Sequence, residues 1–418
     1  MTIFLTGATG FVGGEVLRRL VREERRVACL VRAPSAAAAR ERGRATLAAL
    51  GIGPARVEWI AGDVEQPGLG LTPYELARLA REVTEVYHCA ASTEFDLPLD
   101  AALRVNVAGT RHVSELALAA HRAGRLTRFV HVSTAYASGK GRGAIQAEEL
   151  PDDDPRRFRN TYERTKAMAE RELRALAARE GLPLTVLRPS IVVGDSRSGW
   201  TSNWNVLYFP MRLVAWRKTP FLSCGGRALL DCVPVDFVAD AILALGRRPD
   251  TVGRTLHLTA GDEVTTVHEV FERTCAAVRR REGPASPPIR TRLLGPLLFG
   301  LLALVIRLFG PAALRKGLAN LASYVGYTRV SSTFDVTRER ALLATEGLVC
   351  PPRTEFLPRV IEFALEANFG KPARTRAAAP RRASARLAEA LQSASGTIAE
   401  ALRQPGVSGA PAANGIPA

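Results

Sequence analysis

Nothing in the chain constrains its fold more than the stretch Thr6-Gly7-Ala8-Thr9-Gly10-Phe11-Val12-Gly13-Gly14, almost at its start. A short apolar run, residues 2–5, precedes it, and a helical pattern, residues 13–23, follows. Gly7 permits a tight turn. Gly10 lets the backbone approach a pyrophosphate, because a Cβ there would collide with it. Gly13 lets the helix pack against the strand. A helix opening near Phe11 then offers free N–H groups and a partial positive charge to phosphates. A glycine triplet alone is a weak signal; with a strand before it and a helix after it, it predicts a dinucleotide-binding turn. Thr6, Gly7, Thr9, Gly10, Phe11, Val12 and Gly13 are its candidate contacts.

Beyond the turn, short apolar runs alternate with amphipathic stretches. Candidate strands are residues 2–5, 27–31, 57–60, 83–88, 128–132 and 184–188; residues 160–179 repeat the helical pattern. Such alternation predicts an α/β fold, a doubly wound parallel sheet with right-handed crossovers. Residues 231–238 read as a short strand turning into a helix near Pro234 or Asp236. We expect a nucleotide-binding and catalytic domain over residues 1–265, with substrate-side portions at about 195–235. A smaller, mainly helical substrate, lid or membrane-associating region follows over 266–370. Residues 371–418, rich in Ala, Arg, Ser, Pro and Gly, are expected to be a disordered basic tail, with a transient helix over 384–403.

The 418 residues carry a formal net charge of +16, which suits acidic partners: phosphate-bearing ligands, anionic lipid or nucleic acid. No zinc-finger spacing and no basic stripe interleaved with aromatics is present, so nucleic acid is not an expected partner. Cys29, Cys89, Cys224, Cys232, Cys275 and Cys350 are scattered with no Cys-x-x-Cys pair. That argues against a disulfide framework and a metal site and, with no charged leader before the first strand, predicts a cytoplasmic location. Residues 293–306 form a nearly uninterrupted apolar run flanked by arginines. It is too short to span a bilayer. It reads either as a core helix or lid over an apolar pocket, or as a segment dipping into the inner membrane face while arginines grip head groups.

The end of the second strand selects the coenzyme. An acidic residue there would bind a ribose 2′-hydroxyl; Val31-Arg32-Ala33 offers a guanidinium instead, which suits a 2′-phosphate and favours NADP(H). Tyr162 and Lys166 share one helix face at i and i+4. A phenol with an ordinary pKa near 10 is sluggish at neutral pH. A neighbouring ammonium is expected to draw it down, making Tyr162 a proton donor. Ser133 and Thr134 stand at the end of a candidate strand, where hydroxyls can donate to a carbonyl oxygen as charge develops on it.

Read together, Gly-x-x-Gly-x-x-Gly, Tyr162-x-x-x-Lys166 and Leu187-Arg188-Pro189-Ser190-Ile191 resemble the extended short-chain dehydrogenase/reductase family over roughly residues 1 to 260. The resemblance implies further coenzyme contacts at Asp63, Val64, Ala90, Ala91, Pro189 and Ile191, and Asn106 as a residue tying the central helix to the sheet; the alternative for Asn106 is an ordinary surface amide. It also implies catalysis by Thr134, Tyr162 and Lys166, Lys166 bonding the nicotinamide ribose, with Ser133 a second substrate contact. "HCAASTEF", "HVSTAYASG", "YERTKAMAE" and "LRPSIVVGD" look most like the fatty acyl-CoA reductase and thioester reductase group. That implies NADPH-dependent reduction of a CoA- or carrier-bound acyl thioester to aldehyde or alcohol. A lipidic, sterol-like or polyketide ketone/alcohol substrate, or sugar-nucleotide epimerase/dehydratase chemistry, is the alternative. A non-catalytic NADP sensor would be expected to lose Tyr162 or Lys166. Oligomeric state is left open.

Overall fold

Seven parallel strands make the central sheet of the computed structural model: β1 (Thr2–Thr6), β2 (Arg26–Val31), β3 (Val57–Ala61), β4 (Val83–His88), β5 (Arg128–Val132), β6 (Leu184–Pro189) and β7 (Thr255–Leu258). Their order is β7-β6-β5-β4-β1-β2-β3, so the order reverses beside β1. Ligand crevices form at such a switch point, outside the strand carboxyl ends. β1 pairs with β2 from Thr2↔Arg26 to Thr6↔Leu30 and with β4 on its other side. The expected strands are present with ends shifted by a residue, and β7 is an addition. Ile3, Leu5, Val27, Tyr87, Val130 and Leu187 on one sheet face, and Phe4, Ala28, Val86, Phe129 and Val186 on the other, enter separate apolar cores. Burial on both faces is what a doubly wound sheet requires.

The structure describes residues 1–53, 56–204, 206–218, 221–223, 228–309, 326–327 and 330–371. Met1–Gly370 is one compact unit. The expected basic tail, apart from Lys371, lies outside the described residues, as do Cys224 and, of the basic residues that follow the apolar run 293–306, Arg315 and Lys316.

Helices that position the site are α1 (Phe11–Arg22), α2 (Ala36–Ala49), α3 (Gly109–Arg122), α4 (Thr161–Glu180) and α5 (Tyr208–Ala215). The substrate side adds α6 (Val235–Arg247), α7 (Val267–Glu282), α8 (Pro296–Phe309), α9 (Thr337–Thr345) and α10 (Arg353–Glu366). α4 starts where Asn160 accepts from the Glu163 N–H at 2.9 Å and stops at Gly181 in the left-handed region, a strong cap at each end. The strand expected before α6 is Cys232–Pro234. An apolar cluster of Tyr136, Tyr208, Met211, Val270, Tyr327 and Phe356 joins the site to the C-terminal helices.

Candidate active site

The glycine turn is dictated by close packing. Gly7 has φ +75°, and a Cβ there would stand 2.6 Å from the Cys89 carbonyl carbon. A Cβ at Gly13 would stand 2.2 Å from the Gly7 oxygen. At Gly10 the nearest protein atom is the Gly7 oxygen at 3.2 Å, and the residue lines the open cleft. Packing thus explains Gly7 and Gly13, whereas space on the cleft side remains the reason for Gly10. No side chain caps α1 and no acidic residue occupies its first turn, which leaves the N-terminal N–H groups to a ligand.

The cleft beside this turn holds about 1190 Å³ of empty space, its solvent mouth included, and is lined by Gly7, Gly10, Phe11, Val12, Gly13, Ala91, Ser133, Thr134, Tyr162, Lys166, Pro189 and Ile191 among others. Most of the sequence-predicted residues therefore meet in one place. Thr6, Ala90, Asn106, Arg32, Asp63, Val64 and Thr9 lie outside that lining. Thr6 is fully buried; its hydroxyl bonds His88 Nδ1 at 2.7 Å and accepts from the Ala90 N–H at 3.3 Å, which ties the ends of β1 and β4 together. Asn106 is likewise internal. Its carbonyl accepts from the Ser92 N–H at 2.9 Å and its amide donates to Thr165 Oγ1 at 3.0 Å, so it fastens α4 to the loop after β4. It occupies a π-helical turn, Leu103–Ala108, a feature frequent at functional sites. Asp63 Oδ1 accepts from the Glu65 N–H, and Val64 packs under Gly109.

Arg32 extends from the end of β2, well exposed, and pairs with Asp63 at 3.2 Å and Glu65 at 2.9 Å. A second guanidinium that sequence reasoning missed stands beside it: Arg42 on α2 donates to the Arg32 carbonyl at 2.8 Å and to Thr9 Oγ1 at 3.3 Å. Its position one helix after the second strand was the available signal.

Tyr162, Lys166 and Glu170 follow one face of α4 at i, i+4 and i+8. Glu170 and Arg188 are both fully buried and joined by a two-pronged ion pair at 2.8 and 2.9 Å, which fixes α4 on β6. Lys166 donates to the Val132 carbonyl at 2.8 Å and lies 3.4 Å from His131 Nε2. Burial pushes the Lys166 ammonium down to about 8, against the pull of Glu170. His131, given no role from the sequence, is thus the lysine's neighbour. It is held far below the ordinary histidine range by burial and the Lys166 charge, and so is neutral. Its signal was the two-residue strand period that puts it on the same face as Ser133.

Tyr162 corrects one expectation. Burial raises its phenol to about 12, outweighing the hydrogen bond from Thr134 that favours the phenolate. The shared helix face alone does not bring the Tyr162 pKa down, because the Lys166 ammonium is anchored toward β5. Besides that contact with Tyr162, Thr134 holds only long bonds, 3.4 Å to the Pro189 carbonyl and 3.4 Å from the Tyr136 N–H, and the buried Ser133 hydroxyl has no partner among the described residues. Both hydroxyls are available to an oxygen in the cleft.

An aromatic wall, also missed, closes the far side. The Phe95 and Tyr327 rings stack at 5.0 Å, Phe95 lies 6.0 Å from Tyr162, and Tyr136 meets Tyr327 edge-on. The Tyr327 hydroxyl donates to Glu163 Oε1 at 2.8 Å and accepts from Asn160 Nδ2 at 3.1 Å. Beyond this wall lies a second, partly open cavity with about 780 Å³ of empty space, its solvent mouth included, lined by Val206, Leu207, Met211, Val267, Phe299 and others. Tyr327, Val206 and Leu207 border both spaces. Among the described residues no cluster of His, Cys, Asp and Glu could hold a metal ion.

Residues 5–242, more than half of the chain, match the NAD-binding family described as male sterility protein. Two curated relatives are a nonribosomal peptide synthetase of Aspergillus flavus, 32% identical over 61% of this chain, and a putative fatty acyl-CoA reductase of Drosophila melanogaster, 29% identical over 62%. The chain spans 26% and 55% of their respective lengths. The terminal reductase domain of the myxalamid biosynthetic pathway superposes with a TM-score of 0.73 at 28% identity, covering 88% of this chain and 91% of that one. With the glycine cradle, the switch-point cleft and the Tyr162/Lys166 pair, these matches establish that the chain belongs to the male sterility protein family and is an extended short-chain dehydrogenase/reductase with a nicotinamide-dinucleotide site.

Proposed function

We propose that this protein is an NADPH-dependent reductase of acyl thioesters, CoA- or carrier-bound, yielding an aldehyde or, after a second round, an alcohol. The observation that carries this reading is the apolar cavity sharing a wall with the catalytic cleft: an acyl chain fits the one while its thioester carbonyl sits in the other. Fatty acyl-CoA reductases and nonribosomal peptide synthetases among the relatives support it.

The residues present fit the coenzyme. Gly10 keeps the cleft clear of side chain, the first turn of α1 presents N–H donors, and Arg32 with Arg42 offers two cations to a 2′-phosphate. Bound there, the reduced nicotinamide supplies the hydride. Thr134 and Tyr162 donate to the carbonyl oxygen as it becomes an oxyanion. With its pKa near 12, Tyr162 is fully protonated at neutral pH and begins the cycle as an acid. Collapse of the tetrahedral adduct re-forms C=O and breaks C–S; the Tyr162 proton passes to the departing sulfur, so thiol and aldehyde leave. Asn106, Glu170 and Arg188 hold α4 so that these groups stay in register. Residues 266–370 form the substrate and lid region in this scheme.

The test is incubation with NADPH and a panel of acyl-CoAs and ketones, following coenzyme absorbance and free thiol. Thiol release matching coenzyme oxidation is expected. Turnover of ketones without any thioester turnover overturns the assignment in favour of a lipidic ketone reductase.

A further inference from the structure

Six of the ten large apolar side chains most exposed among the described residues lie on α8: Leu297, Leu298, Leu301, Leu304, Leu308 and Phe309, between 52% and 91% exposed. The other four are scattered, as single exposed apolar residues normally are. At about 100° per residue these six occupy roughly 140° of the helix surface, a continuous apolar strip. The opposite side of the helix carries Phe299, which is buried and lines the apolar cavity. The helix is therefore a roof whose upper side is as apolar as its lower side, and a free apolar strip of this kind marks an interaction surface.

Charge identifies the occupant. Arg290 and Arg292 lie in the segment leading into α8, six and four residues before its start, and Arg307 lies in its last turn beside the strip; all three are exposed, and none pairs with a carboxylate of the described residues. At roughly 60° round the helix from Leu304, the long Arg307 side chain can reach past the apolar strip toward head groups. A strip of leucines bordered by unpaired arginines fits an apolar layer covered by anions. No helix among the described residues is long and apolar enough to cross a membrane. We propose that the outer face of α8 seats this protein on an anionic lipid surface, with the apolar cavity directly beneath the contact. The docking stands apart from the reductase reading; only what fills the cavity rests on it.

The test uses the full chain and sedimentation with phosphatidylcholine vesicles, with and without phosphatidylglycerol. Wild type is expected to pellet with the anionic vesicles and far less with the neutral ones. L297Q/L301Q/L304Q is expected to lose about tenfold or more of that partition while still binding coenzyme. R292E/R307E is expected to lose the preference for phosphatidylglycerol. A wild type that stays in the supernatant with anionic vesicles at low salt overturns the proposal, as does a triple variant that pellets like wild type. So does light scattering in which the triple variant turns a dimer into a monomer and vesicles bind neither, which would make the strip an interface between two copies. Thiol release from a short, water-soluble thioester reads the reducing site separately, so failure of one reading leaves the other standing.

Discussion

At the coenzyme end of the cleft the walls are backbone: Gly7 against Cys89, Gly13 against Gly7, and a helix terminus with no capping side chain. At the apolar end the walls are side chains drawn from distant segments, Met211, Val267, Phe299 and Tyr327. The first kind of wall depends on a few atoms of clearance and admits one ligand shape. The second depends on the summed volume of apolar groups, which cores tolerate changing. In the proposed reductase, a fixed coenzyme and an adjustable substrate would follow from these two building materials.

If that division holds, variants at the two ends should move different constants. The largest effect belongs to the chemistry between them. Tyr162→Phe is expected to lower turnover by about 10²–10⁴-fold while coenzyme affinity, read by fluorescence titration, stays put. Turnover left intact would remove Tyr162 as the proton donor. Next, Arg32→Ala with Arg42→Ala should weaken NADPH by about a hundredfold or more, since charge-assisted bonds contribute about 1.5–3 kcal/mol each and about 1.4 kcal/mol is tenfold. NADH and the thioester KM should be unaffected; an equal loss for both coenzymes would break the assignment of these arginines to a 2′-phosphate.

Smaller effects sharpen the other side. Val267→Phe reduces the apolar cavity and should raise KM for long acyl chains about tenfold while sparing short ones, because the contact of a single methylene is worth about 1–3 kcal/mol. A uniform rise across chain lengths would mean the cavity does not hold the chain. The mildest signature is a pH dependence. Lys166 is charged below about 8 and neutral above. Coenzyme KM should therefore be flat below pH 8 and climb above it, and Lys166→Met should show the high value throughout. Because the folded value lies below the ordinary 10.5, the native protein sheds this proton before the unfolded chain does. Lys166 therefore makes stability rise, not fall, between about pH 8 and 10.5.

The coenzyme end was readable because its information is local. Thr2 to Gly14 contains strand, turn and helix in thirteen consecutive residues, and Tyr162 and Lys166 are four apart on one helix. β7 escaped notice because Thr255–Leu258 is only four residues long and lacks a clear pattern. Tyr327 was invisible for a different reason. It meets Glu163 across 164 residues of chain, and no spacing rule reports such a pair. His131 could have been suspected from its strand face, but its role as neighbour of Lys166 requires the i+4 reach of α4 and the pairing of β5 to be known together. For residues 293–306 the sequence left a pocket roof and a lipid-facing segment as alternatives; the helix has one side over a cavity and the other in the open.

Tyr327 stands in the party wall between the two spaces, and its hydroxyl is held by the carboxylate next in sequence to Tyr162. In the proposed reductase, an acyl tail that shifts this ring would tug on Glu163, whose own position sets the first turn of α4 and hence the aim of Tyr162. Selectivity for chain length would then be felt in the speed of the reaction as well as in the tightness of binding, with an ill-fitting tail held in place but poorly served.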